Sequence, residues 1–91
     1  MGQPRKNLDD LDTNGQKGDW AFLDNDKHIA VRYGETPFKG TVVLPLVGPA
    51  AWQWDGNKEA PTLNPSILVE SVPNWNDGWH GWLREGKLVT A

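Results

Sequence analysis

This 91-residue chain predicts an all-β fold: a small single-domain sandwich, roll or partly open barrel with a C-terminal hairpin, preceded by a flexible N-terminal arm. Three observations predict it. From Asp19 onward the apolar residues fall in short or alternating runs, the period of a strand. Gly, Pro, Asn and Asp separate those runs, and these are the residues that turns require. No window carries an apolar helical stripe of three turns.

The boundaries follow from composition. Residues 1–18 are mostly polar or charged and carry too little apolar surface to offset the entropy of ordering, so they read as the flexible arm, with residues 19–91 as the β domain. Within the arm "DLDTNG", Asp10 to Gly15, begins like a calcium loop, but its twelfth position falls on Ala21, which offers no carboxylate. An acidic tail is the favoured reading there.

Strand candidates follow in order: Trp20 to Asp24, His28 to Tyr33, Thr41 to Val47, Ala51 to Trp54, Ser66 to Ser71, Trp79 to Arg84 and Lys87 to Thr90. Glu85-Gly86 separates the last two, and its glycine suits the left-handed conformation of a tight hairpin with a bulge. Alternation puts Ile29, Val31 and Tyr33 on one face of their strand. It puts Trp79 and Leu83 opposite His80, Trp82 and Arg84. A chain this short needs a dense core, and the six tryptophans are expected to supply it, four or five of them buried.

Several function classes are disfavoured. The net charge of −3, with both signs interspersed, provides no basic stripe for nucleic acid. The apolar runs fall far short of the ~20 residues of a membrane helix. The N-terminus carries no apolar core of a secretory signal. With no cysteine there are no disulfides, thiolate metal sites or thiol nucleophile.

Three further groups of residues could carry chemistry. In "APTLNPSILVESV", Ala60 to Val72, two prolines impose extended geometry ahead of an apolar run, and Thr62 and Ser66 read as hydroxyls that bond local backbone. A nucleophilic serine needs a base and commonly a G-x-S-x-G elbow, and the sequence shows neither beside Ser66. His28 and His80 with Asp24 or Asp26 form an alternative zinc set that would support hydrolysis or ligand sequestration. The favoured reading leaves both histidines hydrogen-bonded at strand ends, with no cofactor. Finally, Trp75 in "VPNWNDGW" lies among turn residues, and with Asn74, Asn76, Asp77 and Trp82 it forms a candidate binding surface.

Trp20-Ala21-Phe22, His28 to Val31, "WQWDGNKEAPTLNPSILV" and "WHGWLREGKLV" resemble, in that order, the motifs of an uncharacterised family of small proteins common in tailed phages and prophages. Some of its members are mislabelled ammonia monooxygenase. The family pattern includes W-x-W-x-G, P-T-x-x-P-S and a His-x-aromatic hairpin ending in glycine. Relatives carry a cysteine knuckle where this chain has Leu23 to Asp26, and a cysteine where it has Trp79. The family's trailing Asp-Cys-x-His segment has no counterpart before Ala91. The resemblance therefore implies a family zinc site reduced here to His28 and His80, with apolar packing in its place. It implies a phage accessory protein in the cytoplasm of an infected bacterial host. The leading expectation is a non-enzymatic binding module for a host or phage protein, with the metal-dependent hydrolase and a virion component as alternatives.

Overall fold

The computed structural model describes residues 2–91 and bears out the all-β expectation: nine strands, one short helix and three sheets, with no closed barrel. The first sheet has the order β1 (Pro4–Arg5), β2 (Trp20–Leu23), β3 (His28–Arg32), β4 (Thr41–Pro45). A two-stranded sheet pairs β5 (Gln53–Trp54) with β6 (Leu63–Asn64). A third carries β7 (Ile67–Val69), β8 (Trp79–Arg84) and β9 (Lys87–Thr90). Among the described residues no helix is long and apolar enough to cross a membrane.

Turn chemistry sets the hairpins. Asp24, Asn25 and Asp26 all take left-handed φ (53°, 55° and 66°) between β2 and β3, a conformation that Asn and Asp accept more readily than most residues. Between β8 and β9, Glu85 and Gly86 have φ of 49° and 72°, and Arg84 pairs directly with Lys87. Two positive φ values make this a two-residue type I′ turn, with no bulge.

The N-terminal segment is not a loose arm. β1 runs parallel to β2 with Pro4 opposite Trp20, and α1 (Leu8–Asn14) buries Leu11 and Asp12. Asn7 caps the helix by accepting the Asp10 N–H at 2.8 Å. The Asp19 carboxylate accepts from the Gln3 and Gln16 N–H groups, each at 2.9 Å. The buried Arg32 guanidinium donates through Nη1 to the carbonyls of Leu11, Asp12 and Gly15, at 3.1, 3.1 and 2.8 Å. Distant residues thus satisfy backbone groups that the segment alone leaves open. Its calcium-like acids are engaged as well. Asp10 accepts from Arg5, Lys6 and Asn14, and Asp12 accepts from the Thr41 hydroxyl at 2.6 Å.

The core between the first and third sheets is more aliphatic than expected. Trp20, Ile29, Val31, Tyr33, Leu44, Leu63, Ile67, Val69 and Leu83 form its buried cluster, and Trp52, Trp54 and Trp79 pack against it while partly exposed. Trp20 alone of the six tryptophans is fully buried, because an indole at the margin of so small a core keeps one edge in water.

Candidate active site

The segment "PTLNPS" is bound to the C-terminal hairpin at both ends. At its start the Gly86 N–H donates to the Pro61 carbonyl (2.9 Å) and the Glu85 N–H to Thr62 Oγ1 (2.9 Å). Thr62 therefore bonds backbone, as its sequence suggests, although the backbone is that of a distant turn. At its other end the chain bends at Pro65 and passes into β7, leaving Ser66 just outside the strand.

Register decides what Ser66 meets. Ile67 lies opposite Gly81 and Leu68 opposite His80, so Ser66, Leu68, His80, Trp82 and Arg84 share the outer face of the third sheet. Ser66 Oγ and His80 Nε2 are diagonal neighbours 3.2 Å apart, within hydrogen-bond reach. β8 thus brings an imidazole within hydrogen-bond reach of the Ser66 hydroxyl. With the ring proton on Nδ1, Nε2 accepts from the hydroxyl.

The surroundings hold this pair in place. Trp52 Nε1 donates to the Ser66 carbonyl at 3.4 Å. The His80 and Trp82 rings lie 6.0 Å apart, and the Arg84 guanidinium stacks over Trp82 at 4.7 Å from its centre. Leu68, 65% exposed, stands directly opposite His80. No carboxylate hydrogen-bonds His80 among the described residues, so the pair is a dyad.

The other expected residues lie elsewhere. His28 Nδ1 is 3.0 Å from Asp24 but poorly aligned for a hydrogen bond, and Asp26 pairs with Lys58 at 3.0 Å. His28, Asp24 and Asp26 belong to the β2–β3 hairpin while His80 faces Ser66, and no group of three or more potential metal-ligating acids and histidines assembles among the described residues. The alternative zinc set is therefore not brought together. Trp75, 74% exposed, tops a turn closed by the Val72–Asn76 bridge, with Asn74 at a φ of 68°. Asp77 ties that turn to Lys39 through its N–H, at 3.0 Å. Trp82 lies on β8, the strand that carries His80. A cavity of about 370 Å³ lined by Gly15, Gln16, Lys17, Arg32 and Glu35 holds no nucleophile, and carbonyls already occupy its arginine.

A serine and a histidine on adjacent strands could have been suspected from alternation alone, since both point outward. What the sequence lacks is the register that joins them. No curated protein and no solved structure matches the chain. A family model described as bacterial ubiquitination-like system serine protease (BubE) matches residues 36–91, a stretch that includes Ser66 and His80. This match overturns the expectation of a non-enzymatic protein. Covering more than half of the sequence, it identifies the chain as a member of the BubE family of bacterial ubiquitination-like system serine proteases.

Proposed function

We propose that this protein is a serine hydrolase that cleaves an acyl bond in a protein substrate of a ubiquitination-like system, with Ser66 as nucleophile and His80 as general base. The observation that carries the reading is the 3.2 Å approach of Ser66 Oγ to His80 Nε2 on a solvent-exposed face. The description of the matched family supports it independently.

The chemistry follows from the pair. As Oγ attacks the substrate carbonyl carbon, Nε2 takes the hydroxyl proton and a tetrahedral oxyanion forms. The bond to the leaving group then breaks as Nε2–H protonates it, leaving an acyl group on Ser66. A water molecule, deprotonated by the same nitrogen, releases the acid and restores the hydroxyl. The Ser66 backbone N–H lies beside its own oxygen and can donate to the oxyanion. Without a carboxylate on Nδ1 the ring is less firmly oriented than in a triad, where loss of that carboxylate function costs about 10⁴ in rate. A slow or substrate-activated hydrolase is the consequence.

The test is covalent labelling by a fluorophosphonate, read by intact mass and peptide mapping. One phosphonyl group per chain at Ser66 is expected. Ser66→Ala should abolish it, and His80→Ala should slow it by roughly 10³-fold or more while leaving the fold intact. Failure to label, or labelling of another serine, refutes the assignment.

A further inference from the structure

Among the described residues β7 is an outer strand, paired only with β8. The Ala91 N–H donates to the His80 carbonyl at 2.9 Å, so the backbone of His80 faces β9. By the alternation of an antiparallel ladder, Trp79 and Gly81 face β7 and exchange hydrogen bonds with Val69 and Ile67. Leu68, opposite His80, is then a non-hydrogen-bonded position whose N–H and C=O both point to the unpaired edge. Ser66 obeys the same alternation: its carbonyl, on that edge, is the one that accepts from Trp52.

We propose that this edge is the docking rail for the substrate: an extended polypeptide adds alongside β7, pairs its backbone with the Leu68 N–H and C=O, and so presents a carbonyl to Ser66. This inference rests on the serine-hydrolase reading and names the form in which that site takes its substrate. An unpaired donor and acceptor at one strand residue select an extended main chain over a helix or a compact small molecule. Leu68 lies two residues from the nucleophile, about 6.7 Å along the strand, so a chain paired there runs close to Ser66. Because the Trp52 indole already holds the Ser66 carbonyl, backbone pairing stops there, and the bound chain turns from the edge toward the face that carries Oγ and Nε2. The exposed side chain of Leu68 offers that chain an apolar contact beside the dyad.

Two diphenyl phosphonates with the same leucine-like warhead test this, one a single acylated residue and one a tetrapeptide. The tetrapeptide should phosphonylate Ser66 at least about tenfold faster. N-methylation of each of its amides in turn should remove about tenfold at one position, the effect of losing one hydrogen bond. Leu68→Pro removes the edge N–H without touching the β7–β8 ladder, and should bring the tetrapeptide down to the rate of the single-residue probe. Should the proline variant misfold by circular dichroism, the N-methyl scan decides on the unaltered protein. Equal rates for the two probes, a flat N-methyl scan, or labelling by fluorophosphonate but by neither peptidic probe overturns the rail. No labelling by any of the three overturns the serine-hydrolase reading itself.

Discussion

Gly81 joins the two halves of the dyad because it has no side chain. It pairs with Ile67, so it sits one register step from both Ser66 and His80, and the Trp79 ring lies against its inner face. A Cβ there would stand 2.6 Å from Trp79 Cζ2 and 2.8 Å from its Cη2, and would collide with the Val89 carbonyl. Neither the ring nor the strand can yield without moving β8 against its neighbours. Gly81→Ala should therefore destabilise the fold by about 1–3 kcal/mol, the range for overpacking, measurable as a lower urea midpoint. Labelling of Ser66 should slow more than the unfolded fraction explains, because the displaced strand carries His80. At this scale the sequence was partly legible. Alternation alone put His80, Trp82 and Arg84 together on the outer face of their strand. It could not bring Ser66 to His80, because that contact depends on Leu68 standing opposite His80, a pairing that no property of either segment announces.

Among the elements, the strands were the most legible and α1 the least. Runs beginning at Trp20, His28, Thr41, Trp79 and Lys87 all start strands at those residues, since period-two patterning reports a half-buried sheet directly. The helix leaves little trace in the sequence because seven residues are too few to show a three-turn stripe and because its partners, chiefly Arg32, lie far along the chain. Its start does carry a local signal in the Asn7 cap, followed by Asp9 and Asp10 in the first turn. Asp10 also makes the segment acid-sensitive. The Lys6 N–H, the Asn14 amide and the Arg5 guanidinium together hold its carboxyl at about 2, below the ordinary value of 3.8. A depressed folded-state value means the contribution is complete above the ordinary value and is lost as pH falls through the lower one. Hydrogen exchange of residues 4–14 should thus be unchanged from pH 6 to 4 and quicken toward pH 2, after correction for intrinsic exchange. In Asp10→Asn the same segment should exchange faster at pH 6 and show little of that acid step.

Over the whole molecule, Trp20 is where separate parts of the chain meet. Its ring is fully buried, Nε1 donates to the Lys58 carbonyl at 3.3 Å, and Gly86 and Gly2 lie against its edge. Around it, the Gly2 N–H donates to the Gly86 carbonyl (3.3 Å) and the Gly86 N–H to that of Pro61 (2.9 Å). One side chain on β2 therefore supports the N-terminus, the loop after β5, the "PTLNPS" segment and the turn that closes the β8–β9 hairpin. Composition correctly pointed to tryptophan as a source of core area, but the burial is concentrated in one ring backed by aliphatic residues. A domain of this length has a stability of about 5–15 kcal/mol, and removing a buried tryptophan costs about 3–5 kcal/mol. Trp20→Ala should consequently lower the melting temperature by well over 10 °C, while Trp75→Ala, which strips a largely exposed ring, should shift it by only a few degrees. Near-ultraviolet circular dichroism during thermal melts separates the two. If Trp20→Ala melts like the parent protein, the two large sheets are held together by something other than the cluster centred on that residue. The dyad then does not depend on that cluster for its geometry, and the labelling rate of Ser66 in the same variant should be undiminished.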